Sequence, residues 1–256
     1  FSIISDKTLL ITDPWFSNSG AFFGSWFQYP KNHHLKNKIL ELIELSDNAY
    51  IFITHEHQDH YDKEFLSCIS KNTKILIPSY MDKSFRSDCE SLGLEVFEIK
   101  DKEKYQLNKD FWISPYISHI GINHDSALLV VTEEFKFFNQ NDCKIFDRLD
   151  EINESIDYYS VQFSGATWHP SNFILSDKRK KEISKQKVNN KLNSVLRGIV
   201  NLKPKYFLPA AGPAIFPYLD DELSFGIDNI FIHHNVLNSF LKRNNVNNIL
   251  YLNPGD

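Results

Sequence analysis

The sequence predicts an α/β fold in which two mixed β-sheets pack face to face and helices cover their outer surfaces. The first hundred residues alternate short β-branched or aromatic runs with helical periodicity. The centre of the chain instead carries successive strand patterns, and the last hundred residues return to the alternation. Alternation favours parallel pairing and consecutive strands favour antiparallel pairing, so each sheet should be mixed.

In the first part, short runs rich in β-branched and aromatic residues mark the strands. These runs fall at Thr8–Thr12, 50–54, Lys74–Pro78 and 94–99. Between them, apolar residues recur with helical spacing over 35–45, from about Asp62, and again after Pro78. This order is typical of strands that lie side by side and are joined by crossover helices.

The central strands are predicted at 111–118, 127–132 and 135–138. They are followed by a helix after Asp142, a strand at 158–163, a long helix at 178–202, a strand at 205–208, a helix at 236–243 and a strand at 248–252. The strands ending at Phe163 and Leu208 follow crossover helices. We therefore expect them to run parallel to the strand that precedes Asp142 and to place their loops at the same sheet edge.

The length and composition indicate one globular domain, covering 1–256. Hydrophobic residues make up 42% of the 256 residues and aromatic residues 14%, which is enough for a sizeable core. The chain opens at Phe1 without a methionine and inside a strand pattern, so we expect sequence to be missing beyond both ends.

Charge, hydropathy and cysteine content indicate which class of partner and which cellular compartment suit the chain. A formal charge of −5 does not favour a broad nucleic-acid surface, so a small-molecule substrate is expected. No apolar run approaches the roughly 18 to 20 residues of a membrane span. Cys68, Cys89 and Cys143 lie far apart, which predicts reduced thiols in a cytoplasmic protein. The basic run 178–181 is interpreted as a solvated helix face.

The strongest motif follows the strand at 50–54 and contains four metal-ligating side chains. It reads Thr54-His55-Glu56-His57-Gln58-Asp59-His60. Imidazole and carboxylate are ligands for zinc, iron or manganese. Alternate residues of an extended segment point the same way, so His55 and His57 can share one metal while Asp59 and His60 address a second. We therefore expect one or two Zn²⁺ or Fe ions as cofactors.

This H-x-H-x-D-H pattern after a strand resembles the metallo-β-lactamase superfamily. The resemblance implies an αββα sandwich with mixed sheets and metal ligands at the sheet edge. It also implies a histidine after a later strand and a metal-bridging aspartate. Asp142 fits the aspartate because it follows a strand. His119 and His124 both fit the histidine; His119 is preferred for its spacing, with His124 then supporting the site or contacting substrate.

The superfamily's last histidine has no counterpart, because the corresponding segment reads Pro209-Ala210-Ala211-Gly212-Pro213. Other histidines are expected at the same sheet edge. His169 follows the strand at 158–163, and His233 or His234 lies near the start of the helix after the strand at 205–208. His233 is preferred as the ligand that completes the second site. His169 is the alternative, and otherwise supports the site or contacts substrate.

A narrower resemblance covers most of the chain. It is similar to the branch that contains CMP-N-acetylneuraminate hydroxylase-like and UDP-N-acetylmuramate hydroxylase-like proteins. The shared strings are Thr12-Asp13-Pro14-Trp15-Phe16, Asp125-Ser126-Ala127-Leu128-Leu129, Asn141-Asp142-Cys143, Ser164-Gly165-Ala166-Thr167-Trp168, Ala211-Gly212-Pro213 and Pro254-Gly255-Asp256. Hydroxylases of that branch carry a Rieske iron–sulfur domain, whose paired Cys and His motifs are absent from these 256 residues. An oxygenase would therefore need an electron donor elsewhere or a diiron centre.

Two features close to these motifs can support a metal site. Asp13 ends a strand before a stiff Pro14, so its carboxylate can either orient a metal-bound histidine or act as a structural cap. The aromatic residues that follow could wall a pocket near the metals or pack in the core; they are Trp15, Phe16, Phe22, Phe23, Trp26 and Phe27.

The leading functional hypothesis is a metal-dependent hydrolase that acts on a small phosphoester, sugar-nucleotide or related substrate. Asp59 would be its catalytic residue, holding or deprotonating the attacking water. The alternatives are a non-haem iron or diiron oxygenase with a separate electron donor, and a non-catalytic binding module with a relict metal site.

Overall fold

Two β-sheets stack face to face in the computed structural model, which describes residues 1–118, 125–213, 215–216 and 230–256. The first sheet has the spatial order β1-β2-β3-β4-β5. Its strands are β1 (Ser2–Ser5), β2 (Thr8–Thr12), β3 (Asn48–Phe52), β4 (Lys74–Pro78) and β5 (Glu95–Ile99). β1 pairs antiparallel with β2, and the remaining neighbours are parallel.

The second sheet has the spatial order β11-β10-β9-β8-β7-β6. Its strands are β6 (Tyr105–Gln106), β7 (Trp112–Ile117), β8 (Ser126–Val131), β9 (Lys136–Asn141), β10 (Tyr158–Gln162) and β11 (Tyr206–Ala210). The strands from β6 to β9 are antiparallel, whereas β9, β10 and β11 run parallel. The predicted parallel arrangement of the three last strands is thereby confirmed.

The helices lie on the outer faces of the two sheets. They are α1 (Lys36–Leu45), α2 (Lys63–Leu66), α3 (Ser84–Glu90), α4 (Asp177–Leu202) and α5 (His234–Arg243), with short 3-10 helices at His33–Leu35 and Leu149–Glu151. Residues of α1, α2 and α3 share one core with the first sheet, and residues of α4 and α5 share another with the second. The predicted α/β sandwich of the αββα type is therefore confirmed.

Side-chain alternation explains this layering. In β2, Leu9 and Ile11 pack toward the helices, whereas Leu10 between them packs into the space between the sheets. In β8, Leu129 packs toward the helices and Leu128 toward the first sheet. Each buried aliphatic side chain contributes about 1.5 to 3 kcal/mol, so strands that are apolar on both faces are strongly held in the middle layers.

The structure differs from the sequence prediction in two segments. Asp142 is followed by a turn rather than a helix, and helical geometry returns only at Leu149–Glu151. Cys143 and Ile145 are both buried in the core, a spacing of two that suits extended chain better than a helix. The strand predicted at 248–252 is reduced to an isolated bridge between Phe207 and Ile249.

The remaining global features concern thiols and membrane spans. Cys68, Cys89 and Cys143 are free, so the three cysteines form no disulfide with one another. In the described part of the chain, no helix combines the length and the apolar character that crossing a bilayer requires.

Candidate metal centre

The candidate centre forms where three strands end. Register pairs Thr12 of β2 with Phe52 of β3, and the Asp13 amide donates to the Phe52 carbonyl at 3.0 Å. Thr54 and His55 continue from β3, and Asp142 follows the last residue of β9. The carboxyl ends of β2, β3 and β9 thus place Asp13, the histidine motif and Asp142 at one edge of the sandwich.

Two hydroxyl groups fix the backbone immediately before His55. Tyr80 Oη donates to the Thr54 carbonyl at 2.6 Å, and Ser126 Oγ donates to the same carbonyl at 3.1 Å. Ser126 belongs to β8 in the second sheet, so these bonds join both sheets beneath the histidine motif. A carbonyl held from two sides leaves the following side chain little freedom to move.

His55, His57 and Asp142 form a group that could hold a metal ion. One ligand atom from each lies within 4.8 Å of the others. His55 Nε2 is 2.8 Å from His57 Nδ1, and it is 3.9 Å from Asp142 Oδ2. Two imidazole nitrogens and one carboxylate oxygen converging on one point match the donor set that zinc and iron accept.

Asp59 and His60 adjoin this group through Asp142. His60 Nε2 lies 3.6 Å from Asp59 Oδ2 and 3.8 Å from Asp142 Oδ1. Asp59 Oδ1 and Asp142 Oδ1 are buried, and neither has a hydrogen-bond partner among the described residues. A buried carboxylate oxygen without a donor is costly, so a cation between these side chains would satisfy atoms that the protein itself leaves unsatisfied.

Asp13 lies behind His60 and gathers four donors or potential donors. Its carboxylate accepts from the Thr54 amide at 2.8 Å, from Thr54 Oγ1 and from Asn141 Nδ2 at 2.5 Å. His60 Nδ1 lies 3.2 Å from Asp13 Oδ2. With Nδ1 directed at a carboxylate, Nε2 is the nitrogen of His60 that faces Asp59 and Asp142.

The surroundings shift the pKa values of the two buried histidines, His55 and His60, in opposite directions. Burial, together with the nearby His60, lowers the pKa of His55 to about 3. Burial also acts to lower the pKa of His60, but the carboxylates of Asp142, Asp59 and Asp13 outweigh it and raise the pKa well above its usual value. His55 is thus held in the neutral form that binds metals, and His60 sits where the local field favours a positive charge.

Four further histidines were predicted from the sequence as ligands or as neighbours of the site, and the structure describes two of them. His119 and His124 lie outside the described residues. His233 is the half-buried N-cap residue of α5, and His169 packs its ring against Phe173 at 4.8 Å. Among the described residues, only His55, His57 and Asp142 form a set of three metal-capable side chains with ligand atoms this close.

The aromatic residues expected near the metals divide between wall and core. Phe22 lies against the His57 ring, with 6.0 Å between ring centroids, and it also contacts Trp26. Trp26 also contacts Phe216, and Phe216 contacts Trp168 on the loop after β10. Phe22 and Trp26 therefore belong to an aromatic wall beside the histidine motif. Phe16 packs on Phe65 in the core, and Phe23 is exposed.

Sequence reasoning missed Asn141 and Asp125 as site residues. Asn141 adopts a left-handed φ of 54° and places its amide 3.0 Å from His60 Nδ1. Asp125 Oδ1 lies 3.6 Å from His55 Nδ1. The sequence offered a weak signal for both, because Asp125 directly precedes β8 and Asn141 is the last residue of β9. Only the fold shows which histidine each of them meets.

Comparison with known proteins gives two kinds of relative, although no family model matches the chain. A relative from Mycolicibacterium smegmatis, provisionally named as a Rieske 2Fe-2S iron-sulfur protein, is 31% identical over 237 residues. That match covers 87% of this chain and 43% of the relative. A similarly named protein from Mycobacterium tuberculosis is 30% identical, over 84% of this chain and 42% of the relative. The chain thus spans less than half the length of these relatives.

Solved structures resemble the chain along its whole length. An isothiocyanate hydrolase from Delia radicum gut bacteria aligns with a TM-score of 0.62 at 12% identity, covering 100% of this chain and 94% of the other. The metallo-β-lactamase fold protein YhfI from Bacillus subtilis aligns with a TM-score of 0.59 at 12% identity, covering 100% and 89%. These alignments, and the two mixed sheets between outer helices, show that the chain has the metallo-β-lactamase fold.

Proposed function

We propose that this chain is a metal-dependent hydrolase of a small phosphoester, sugar-nucleotide or related substrate. The observation that carries the proposal is the convergence of His55, His57 and Asp142, with ligand atoms within 4.8 Å of one another. Asp59 and His60 extend this group through Asp142. Several proteins with the same fold are described as hydrolases, which supports the reaction class.

The donor set fits a metal ion, because one carboxylate oxygen each of Asp59 and Asp142 is buried without a hydrogen-bond partner in the described chain. His55, His57 and Asp142 would hold a first ion, and Asp59 and His60 would hold a second together with Asp142. A metal bound here supplies a Lewis acid and lowers the pKa of a bound water toward 7. We assign Zn²⁺ or Fe to the site on the chemistry of these donors.

The protein's own side chains orient and accept protons in this scheme. Asp13 keeps His60 in one orientation through its contact with Nδ1. Asp59 presents a carboxylate beside His60, and in this proposal it would hold the attacking water or accept its proton. The aromatic wall formed by Phe22 and Trp26 lies along one side of the histidine motif, where it could contact an apolar part of the substrate.

Turnover tests this proposal directly. Purified chain should hydrolyse members of a panel of chromogenic phosphoesters and sugar nucleotides without dioxygen or reductant, because hydrolysis needs only water and a proton acceptor. Chelation should abolish the activity and added zinc or iron should restore it. His57→Ala should be inactive, whereas His33→Ala, which removes a histidine from the 3-10 helix before α1, should retain wild-type activity. Activity that survives exhaustive chelation would refute the proposal.

A second candidate function is oxygenation by a non-haem iron or diiron centre on the same residues. The observation in its favour is that relatives about 30% identical are named as Rieske iron–sulfur proteins and extend well beyond the matched region. A Rieske cluster transfers electrons, which an oxygenase requires. Product that forms only in the iron-loaded protein, with dioxygen and an electron donor present, would replace the hydrolase proposal by this one.

A further inference from the structure

Helix α4 directs three lysines at the segment that follows β10. Lys180, Lys187 and Lys191 are spaced by seven and four residues, so they share one helix face. Lys180 Nζ donates to the Ser171 carbonyl at 3.2 Å, and Lys187 Nζ donates to the His169 carbonyl at 3.1 Å. These two ammonium groups fasten the loop after β10 to the helix.

Lys191 differs from the other two in its partner and its position. Its Nζ donates to the side-chain oxygen of Gln162 at 2.6 Å rather than to a loop carbonyl. Gln162 is the last residue of β10, and register pairs the preceding Val161 with Asn141 of β9. Gln162 is therefore level with Asp142 on the neighbouring strand, which places Lys191 at the edge that carries the metal ligands.

The positive charge of the Lys191 ammonium group has little in its surroundings to stabilise it. Its side chain is largely shielded from water, and burial lowers the pKa of the ammonium to about 8. Asp142 and Asp125 are the nearby carboxylates that oppose this effect, yet no carboxylate of the described chain forms an ion pair with Lys191. A buried ammonium group that forms a hydrogen bond only to a neutral amide lowers the stability of the fold. Proteins commonly retain such a destabilising charge where it binds a charged ligand.

We propose that Lys191 binds an anionic group of the substrate, a phosphate or a carboxylate, beside the metal centre. This inference rests on the proposed function, because it takes the His55, His57 and Asp142 group as the reacting end of the substrate site. Lys191 would place the anion at the end of β10, next to the end of β9 where Asp142 lies. The substrate is then a molecule whose reacting bond lies close to a negative charge.

Binding of simple anions tests the assignment. Inorganic phosphate and acetate are titrated separately by calorimetry into the full chain, in metal-loaded and in chelated form. We expect Lys191→Met to weaken binding of at least one anion by about 10-fold or more in both forms, as loss of a charge-assisted hydrogen bond predicts. Lys191→Arg should stay within about 3-fold of wild type. The anion with the larger loss identifies the chemistry of the natural group.

Lys187→Met is the matched control, since it lies one turn earlier on the same face and bonds only a loop carbonyl. Its anion affinity should stay within about 2-fold of wild type. Equal weakening in both variants, unchanged affinity in Lys191→Met, or no anion binding by wild type would overturn the proposal. Because the chelated arm contains no metal, a loss there that is specific to Lys191 stands even if the hydrolase proposal fails.

Thermal stability distinguishes ligand binding from a structural role. If Lys191 served only to hold Gln162, Lys191→Met would lower the melting temperature. If it is a cation kept for a ligand, removing its buried charge should leave the melting temperature unchanged or raise it. A lower melting temperature, with anion affinity unchanged, would assign Lys191 to the fold instead.

Discussion

The edge of the sandwich that carries the candidate metal ligands has two parts with different chemistry. At the ends of β2, β3 and β9, carboxylates and imidazoles are packed within hydrogen-bond distance of one another. At the ends of β10 and β11, the backbones approach closely and the ligand types are sparse: a Cβ on Gly212 would come within 2.3 Å of Ser164. The first part, at the ends of β2, β3 and β9, carries side chains suited to binding cations. The second part, at the ends of β10 and β11, carries a lysine and aromatic side chains.

This difference indicates that the two parts of the edge serve different functions, metal binding and substrate binding. Asp13, Asn141 and Thr54 serve the histidine motif, so the first part contains both ligands and the groups that orient them. The second part contributes Gln162 and Lys191, which we assign to the substrate. Substitutions in the first part should therefore affect metal content, and substitution of Lys191 in the second should affect affinity for the substrate's anionic group.

The largest effect is expected for His55→Ala. His55 is buried and neutral, and its Nε2 faces both His57 and Asp142. Losing it should lower metal affinity by more than about 100-fold, because a site with three protein ligands loses one of them. Competition with a metal-binding dye measures the affinity. Metal affinity equal to wild type would remove His55 from the site.

A smaller effect is expected for Asp13→Ala. Asp13 contacts His60 Nδ1 and Thr54 but is not one of the three side chains proposed to hold the first ion. Its loss should therefore mainly weaken the site around His60, by about 10- to 100-fold. Asp6→Ala, an exposed carboxylate on the turn between β1 and β2, is the control and should change nothing. An equally large effect in the control would show that charge alone, and not position, is responsible.

The two histidines of the second part sharpen the comparison further. His233→Ala and His169→Ala should both leave the first equivalent of metal in place, because neither belongs to the group of three in the described chain. If a second ion binds, we expect His233→Ala to reduce its occupancy more than His169→Ala, since His233 is held in place as the N-cap residue of α5. Metal titration followed by elemental analysis measures both occupancies, and equal second-site losses would contradict this order.

The smallest effect concerns stability at alkaline pH. The pKa of Lys191 falls from 10.5 in the unfolded chain to about 8 in the fold because the ammonium is buried. Between these values the unfolded state binds more protons, so this group makes stability rise with pH, by about 1 to 3 kcal/mol in total. Urea unfolding of wild type and Lys191→Met from pH 7 to 10.5 should show this extra rise in wild type only. Parallel profiles would contradict the burial of its charge.

Much of the first part could be predicted from sequence, because its signals are local. Four metal-ligating side chains within six residues after an apolar strand indicate a metal site, independently of the rest of the chain. The parallel order of β9, β10 and β11 also follows from the crossover helices between them. These predictions rest on periodicity and chain direction, which tertiary contacts seldom overturn.

The rest depends on contacts between distant segments. Asn141 meets Asp13 across 128 positions of sequence, and Lys191 meets Gln162 across 29. No local pattern distinguishes Lys191 from the other lysines of α4, because only the register between β9 and β10 places Gln162 beside Asp142. The helix expected after Asp142 was wrong for a similar reason, since core packing of Cys143 and Ile145 overrides local helix preference.

Metal content is the most direct test of the central claim that His55, His57 and Asp142 hold a metal. Wild type, Asp142→Ala and Asp147→Ala, the last an exposed aspartate five residues later, are purified without added metal and analysed by elemental mass spectrometry. The account predicts about one or more equivalents of zinc or iron in wild type and Asp147→Ala, and a clear loss in Asp142→Ala. Equal metal content in all three proteins, or a metal-free wild type that turns over substrate, would contradict it.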